Sequence, residues 1–182
     1  KLLRCPEVSL DLMNKYLNYS NDYQTFSNFG YCEELLRKRL SSILDVSFSQ
    51  ISLGSSATSL LRIAFKLLSK DNILNQGKFY FPAFSFYSTF SIASNLENDI
   101  EYYDIQEESF LPIIKNKIKP CDLIFLNIPF GLSYEIYKFF AFIENLPCKV
   151  IIDAAGCLPG VIDRKITFDK LPSNAIIVFS LH

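Results

Sequence analysis

The sequence has no tryptophan, one histidine and one methionine, and its five cysteines include no C-x-x-C pair. One histidine among scattered cysteines gives no metal-ligand pattern, so we expect no metal site. The odd number of cysteines favours free thiols in a reducing cytosol, and hence a cytoplasmic protein. Charge of one sign is also not in excess, since 18 Lys+Arg face 19 Asp+Glu. This balance argues against a nucleic-acid or membrane partner, and no apolar run is long enough to span a bilayer.

What the sequence does have is a globular composition, with 49% apolar residues in 182. Short apolar runs alternate with segments of helical periodicity, which predicts an α/β fold with a largely parallel sheet covered on both faces. No linker or repeat divides the chain, so we treat residues 1–182 as one domain. We expect strands at 51–53, 79–81, 100–103, 123–126, 150–152 and 175–179, and helices at 10–17, 33–44, 58–68, 86–96, 112–118 and 133–146. In helix 58–68, the residues expected to face inward are Leu60, Leu61, Ala64, Leu67 and Leu68.

The turn from Gly54 to Thr58 is rich in small residues and leads into a helix. Backbone N–H groups at a helix start attract anions, so the N–H groups of Ala57 and Thr58 are candidates for binding a phosphate. The alternative is an ordinary helix cap, in which the serines satisfy the free donors of the first turn. The segment has neither a Walker A pattern nor a G-x-G-x-x-G pattern.

Three further candidates follow strand ends, where ligands bind in parallel sheets. Asp153 could pair with a protonated pyridine nitrogen, or cap a turn. Phe86 could lie on a cofactor ring, or belong to the core. Ser180 could add a hydroxyl to the phosphate site, or merely end a strand. A phosphate cradle and a carboxylate suggest a ligand with one anionic and one cationic end, as in pyridoxal phosphate.

Together these segments resemble the DegT/StrS-type nucleotide-sugar aminotransferases, a family of fold type I pyridoxal-phosphate enzymes. The resemblance covers about residues 27–182. SSATSLL is similar to the family's S-S-[GA]-T-A-A-L turn, and PAFSFYST to its P-S-[FY]-T-[FW]-x-A-T segment. DAA at Asp153 and FSLH at Phe179 match its D-A-A and F-S-F-H segments. Weaker similarity lies at Ser27–Gly30, at Asp104, and at Asn127–Gly131, where the family has H-L-Y-G.

The resemblance implies the three-layer α/β/α large domain of a fold type I transferase, with a mostly parallel mixed sheet and pyridoxal 5'-phosphate as cofactor. It implies that Ala57, Thr58 and Ser180 hold the phosphate, Phe86 the ring and Asp153 the pyridine nitrogen. Gly156 stands where glutamine or histidine usually contacts the ring. The lysine that bonds the cofactor is expected three residues beyond His182, followed by a small C-terminal domain. We therefore expect a truncated large domain that is inactive by itself.

The activity implied is transfer of an amino group from an amino acid, with glutamate expected, to a keto group on a nucleotide-linked sugar. The resemblance also implies a cytoplasmic homodimer. One alternative is a pyridoxamine-phosphate-dependent sugar dehydratase, in which histidine replaces the lysine. Another, favoured by Gly156, is a non-catalytic relative that serves as a binding or dimerisation module. A third is a plain doubly wound domain with some other phosphate ligand, which explains only the Gly54 turn.

Overall fold

The computed structural model describes residues 9–24, 26, 29–69, 77–94 and 99–181. The chain divides into two compact units, the first ending at Leu53 and the second beginning at Gly54. Each unit is built from its own contacts and is described by itself.

The first unit contains two helices, α1 (Leu10–Asp22) and α2 (Tyr31–Leu44), and a short 3-10 turn, Phe48–Gln50. The Oγ atom of Ser9 accepts a hydrogen bond from the backbone of Leu12 at 3.3 Å and so caps α1. Both predicted helices are confirmed, and α1 continues past its predicted end. Of the segment at 27–30 that resembles the family, residues 27 and 28 lie outside the described residues.

The predicted strand at 51–53 is wrong. The backbone of Ile51 is extended, with φ −104° and ψ 126°, but the segment belongs to none of the six strands of the sheet. Extended residues form a β-strand only when they pair with another strand. The partner strand can lie far away in the sequence, so three residues alone do not show whether pairing occurs.

The second unit is built on a six-stranded sheet with the order β3-β2-β1-β4-β5-β6. All neighbouring strands are parallel except β3, which is antiparallel to β2. The strands are β1 (Phe79–Pro82), β2 (Ile100–Ile105), β3 (Pro112–Ile113), β4 (Leu123–Asn127), β5 (Lys149–Asp153) and β6 (Ala175–Val178). The helices are α3 (Ala57–Ser69), α4 (Tyr87–Ala93), α5 (Ile136–Glu144) and α6 (Leu158–Asp163).

Both faces of the central strands are buried, which is why β4 and β5 are apolar throughout. One face presents Phe79, Phe125 and Ile151 to Leu61, Ala64 and Phe65 of α3. On the opposite face of these central strands, Tyr80, Ile124 and Ile152 are no more than 2% exposed. The predicted α/β class, with helices covering a mostly parallel mixed sheet, is confirmed.

Helix α3 is confirmed, but its inward face differs from the prediction. Leu61 and Ala64 are buried as expected, whereas Leu67 is 60% exposed. Phe65 takes its place, with its ring centroid 5.6 Å from that of Phe79 and 5.9 Å from that of Phe125. Leu67 and Phe65 both fit an apolar helical periodicity. Contact with the rings of Phe79 and Phe125 determines that Phe65 faces inward.

The predicted helix at 112–118 is wrong, because the chain forms a hairpin there. A backbone hydrogen bond from Gln106 to Leu111, 2.9 Å long, closes the turn between β2 and β3. Pro112 fits this position since β3 is an edge strand, where one N–H is dispensable.

Two other helices differ in detail from the prediction. The predicted helix at 133–146 begins as a 3-10 turn, Ser133–Glu135, before α5, and the hydroxyl of Ser133 accepts from Arg164 instead of capping a helix. The predicted helix at 86–96 is described as α4, and residues 95–98 lie outside the described residues. Helix α6 has no counterpart in the prediction.

Candidate functional site

The candidate site lies at the edge of the sheet where β1, β4, β5 and β6 end. These strands are mutually parallel, so the loops that follow them meet along one edge. Asp153 is the last residue of β5 and pairs in register with Asn127 of β4 and Val178 of β6. The edge therefore gathers residues from four separate parts of the sequence.

Asp153 is 4% exposed and has two hydrogen-bond donors. Its Oδ2 atom accepts from the hydroxyl of Thr89 at 3.1 Å, and its Oδ1 atom accepts from the backbone N–H of Ala155 at 3.2 Å. Thr89 lies in the first turn of α4 and is 1% exposed. The contact joins β5 to the helix that follows β1.

Burial raises the pKa of Asp153, and the hydrogen bonds from Ala155 and Thr89 only partly oppose this rise. Among the described residues, none forms an ion pair with Asp153. A buried carboxylate without a cation is costly. The arrangement is therefore electrostatically complementary to a ligand that carries a positive charge.

The first turn of α3 has a closed serine cap and two remaining donors. The Oγ atom of Ser56 accepts from the backbone of Ser59 at 3.1 Å, and the Oγ atom of Ser59 accepts from the backbone of Ser56 at 3.2 Å. No hydrogen bond within the described part of the chain uses the N–H groups of Ala57 and Thr58. The capping interpretation and the phosphate interpretation are thus compatible, because they use different N–H groups.

Helix α3 runs so that its first turn approaches the level of Asp153. Phe65 lies beside Phe79 and Phe125, towards the beginning of the strands, while Arg62 donates to Ser91 of α4 at 3.3 Å. Ala57 precedes Phe65 by eight residues, or about 12 Å of helix. Asp153 lies two residues beyond the level of Phe125 and four beyond that of Phe79, or about 7 and 13 Å along the strands. Measured along the strands, these estimates place the first turn of α3 and Asp153 at a similar level.

The remaining predicted site residues lie in the loops of the same edge. Phe86 immediately precedes α4 and is 75% exposed. Ser180 is buried, and its backbone N–H donates to the carbonyl of Ala155 at 3.2 Å. Gly156 is exposed and touches Gly131 of the loop after β4, where an added Cβ would lie 2.6 Å from the carbonyl oxygen of Gly156. The roles predicted for these residues stay predictions.

Thr89 is the site residue that the sequence prediction missed. It lies in the first turn of α4, three residues after the exposed N-cap residue Phe86. The usable signal was its place at the end of PAFSFYST, the segment that resembles the family's P-S-[FY]-T-[FW]-x-A-T. Cys157 is an unsuitable nucleophile, because burial raises the pKa of its thiol to about 12. The described residues contain no group of three or more acidic, cysteine or histidine side chains able to hold a metal ion.

The donor set fits pyridoxal phosphate. Asp153 offers a buried anion to a pyridinium N–H, Ala57 and Thr58 offer N–H groups to a phosphate, and Phe86 offers an exposed ring face. A simple anion would use only the helix start, and a simple cation only the carboxylate.

Comparison with solved structures identifies the fold. BacF from Bacillus subtilis, with substrate bound, aligns with a TM-score of 0.64 and 18% identity over 98% of this chain and 49% of its own. A PLP-dependent aminotransferase from Streptococcus suis aligns with a TM-score of 0.60 and 15% identity over 96% and 50%. L-Threonine-O-3-phosphate decarboxylase from Porphyromonas gingivalis aligns with a TM-score of 0.58 and 14% identity over 99% and 53%.

The chain has the fold of the large domain of fold type I PLP-dependent transferases. It spans about half the length of the structures it matches. No family model matches the sequence, and no curated protein does. A decarboxylase stands beside the aminotransferases, so the shared fold leaves the reaction to be argued from the site. No described helix has the length and apolarity needed to cross a bilayer.

Proposed function

We propose that this chain forms the cofactor-binding part of a PLP-dependent aminotransferase. The observation that carries the proposal is the buried carboxylate of Asp153, which has no cationic partner among the described residues. The N–H groups at the start of α3, from which no described residue accepts a hydrogen bond, support it. Bound there, pyridoxal phosphate supplies an electron sink and an aldehyde carbon that can receive an amino group.

In this proposal, Asp153 holds a proton on the pyridine nitrogen. Thr89 and Ala155 orient its two oxygens, so that the carboxylate has little freedom to turn away. Ala57 and Thr58 donate to the phosphate, and the hydroxyl of Ser180 contributes beside them. Phe86 covers one face of the ring. These residues bind and orient the cofactor, and the lysine expected beyond His182 performs the proton transfers.

The finer proposal is amino transfer from glutamate to the keto group of a nucleotide-linked sugar, by a cytoplasmic homodimer. Its support is the order of similar segments, from SSATSLL at Ser55 to FSLH at Phe179. A pyridoxamine-phosphate-dependent dehydratase shares every proposed cofactor contact of this chain. The residue three positions beyond His182 distinguishes them, since a lysine is required for amino transfer and a histidine for the dehydratase.

The test is an absorbance titration of the full-length protein with pyridoxal phosphate, followed by addition of glutamate. We expect a cofactor band near the visible edge that shifts when the amino donor is added. A cofactor band that forms but does not shift with any amino donor would contradict amino transfer. No band at all would contradict cofactor binding altogether.

The second candidate function is a non-catalytic binding or dimerisation module. The specific observation in its favour is Gly156, which places no side chain beside the ring site and packs against Gly131. Oligomeric state measured with and without pyridoxal phosphate distinguishes the two. A stable dimer with no cofactor band supports the module.

A further inference from the structure

Two exposed phenylalanines face each other across the edge that carries Asp153. Phe84 follows the end of β1 and Phe130 follows the end of the neighbouring strand β4. Their ring centroids are 5.8 Å apart with an interplanar angle of 48°, and they are 51% and 80% exposed. We call them the Phe84–Phe130 pair.

Phe130 occupies a backbone position that suits a different residue type. Its φ is +54° and that of Gly131 is +70°, and the backbone N–H of Leu132 donates to the carbonyl of Pro129 at 3.1 Å. This is a type I′ turn, whose first central position is dominated by Asn, Asp and Gly. A bulky residue there is strained and, being 80% exposed, gains little burial in return.

The turn that contains Phe130 packs closely against the neighbouring loop. An added Cβ on Gly131 would lie 2.6 Å from the carbonyl oxygen of Gly156, so the two loops meet backbone to backbone. Phe110 also has a positive φ of 58°, but it closes the hairpin between β2 and β3. Phe130 instead follows a parallel strand at the candidate site, where strained residues concentrate.

The loops that carry the pair have no charge. Residues 82–91 and 127–134 contain no Asp, Glu, Lys or Arg. A diphosphate or a substrate carboxylate finds no ionic partner in these loops. Two rings without hydroxyls offer only their faces and edges, which pack well against another flat ring.

We propose that the Phe84–Phe130 pair binds a flat, unsaturated, uncharged ring of the substrate and so determines substrate specificity. The inference rests on the proposed function, because it assigns the pair to the substrate side of the same site. Such a ring has two sources: the nucleobase of a nucleotide-linked acceptor, or the aromatic side chain of an amino donor. Both present a π face of similar size to the pair.

The chain provides a matched control in a second exposed aromatic pair. The rings of Phe90 and Tyr102 are 6.1 Å apart, and these residues are 52% and 48% exposed. Replacing Phe90 by Leu removes a ring of similar exposure that lies within α4 and outside the Phe84–Phe130 pair. Phe84→Leu and Phe130→Leu are the test variants, because leucine keeps apolar bulk and loses the π face.

The experiment measures dissociation constants with the full-length protein loaded with pyridoxal phosphate. The probes are uridine diphosphate and thymidine diphosphate for one source, and phenylalanine for the other, with cyclohexylalanine as the saturated control. We expect each test variant to raise the dissociation constants of the unsaturated probes of one source by about 5-fold. This is the fold-change that corresponds to the loss of one aromatic contact. In Phe90→Leu, the dissociation constants of all probes should change by less than about 2-fold. In the test variants, the dissociation constant of cyclohexylalanine should also change by less than about 2-fold.

The outcomes separate this inference from the proposed function. A cofactor band in all variants together with no difference between Phe130→Leu and Phe90→Leu overturns the inference alone. A protein without a cofactor band overturns the proposed function, and the probes can then be titrated directly to judge the pair. Binding of neither source by the wild-type protein overturns the inference as well.

A further variant, Phe130→Asn, guards against a merely structural role. Asparagine suits the type I′ turn, so we expect the melting temperature to rise while affinity for the unsaturated probe falls. A fall in both would identify Phe130 as a structural residue and overturn the proposal.

Discussion

Asp122 and Asp153 are both buried at the ends of neighbouring central strands, with 2% and 4% exposure, but their partners differ. Asp122 precedes β4 at the amino edge of the sheet. Its Oδ1 atom accepts from the backbone of Lys78 at 2.9 Å and its Oδ2 atom from that of Lys119 at 2.7 Å. Asp153 ends β5 at the opposite edge and has longer bonds, to one hydroxyl and one N–H.

The same contrast extends to the charged neighbours of each edge. At the amino edge, Glu101 forms an ion pair with Lys78 at 2.9 Å and accepts from Asn116 at 2.6 Å. The hydrogen bonds from Lys78 and Asn116 lower the pKa of Glu101, whereas burial raises that of Asp153. Asp122 and Glu101 have their partners within the fold, whereas Asp153 has two hydrogen bonds and no cation among the described residues. Under the proposed function, the cofactor supplies that cation.

The largest effect that we expect is from Asp153→Asn on cofactor affinity. Loss of one member of a buried charge pair costs about 3 kcal/mol, or ~100-fold in the dissociation constant for pyridoxal phosphate. The fold should be kept, because an amide can accept from Ala155 and donate to the hydroxyl of Thr89. Absorbance titration measures the affinity and urea unfolding the stability. Unchanged cofactor affinity would contradict the proposed role of Asp153.

The converse substitution, Asp122→Asn, should reduce stability and leave cofactor affinity unchanged. Both oxygens of Asp122 accept hydrogen bonds from backbone N–H groups. In Asp122→Asn, the side-chain NH₂ group therefore faces one of these backbone N–H groups and leaves it without an acceptor. One unsatisfied buried donor costs about 2 kcal/mol. Urea unfolding checks this loss. If the two asparagine variants behaved alike, the contrast between the edges would be wrong.

The parts of the fold that could be predicted are those whose signal is local. Strands β4 and β5 are buried on both faces and therefore read as apolar runs, and α3 has a clear apolar periodicity. The prediction at 51–53 was wrong because strand pairing depends on a partner distant in sequence. The prediction at 112–118 was wrong because Pro112 and Ile113 pair with β2 in a hairpin. The prediction that Leu67 faces inward was wrong because Phe65 packs against the rings of Phe79 and Phe125 instead.

Candidate site residues could be chosen from the sequence, and their roles stay predictions, but their arrangement could not be predicted. Ala57, Thr58, Phe86, Asp153 and Ser180 were each suggested by a strand end or a helix start. The bond between Thr89 and Asp153 and the contact between Gly131 and Gly156 join loops far apart in sequence. These contacts follow from the order of the strands, which local patterns do not encode.

A smaller effect is expected at the start of α3, again at the carboxyl edge. Ala57→Pro removes one N–H at the first helical position, where proline is well tolerated. Loss of a hydrogen bond to a charged phosphate costs about 1.5 kcal/mol, or ~10-fold in affinity. Affinity for pyridoxal, which has no phosphate, should be unchanged, and Ala57→Gly is the control that keeps the N–H. Equal losses for both ligands would exclude α3 as the phosphate site.

The smallest expected effect is the pH dependence of stability in the cofactor-free protein. It is small because the hydrogen bonds to Asp153 oppose part of the rise in its pKa that burial causes. Between the ordinary value near 3.8 and its raised pKa in the folded protein, the native state binds more protons at Asp153 than the unfolded state. Its contribution is therefore full below this range and is lost as pH rises through the folded pKa. The lowered pKa of Glu101 acts oppositely, giving stability that is lost as pH falls. Unfolding free energies are compared in the acid range, as wild type minus Asp153→Asn and wild type minus Glu101→Gln. The first difference should fall as pH rises above 3.8, and the second should rise with pH below 4.5. Slopes of the same sign would mean that Asp153 already has a cationic partner, and the case for a ligand at that edge would fail.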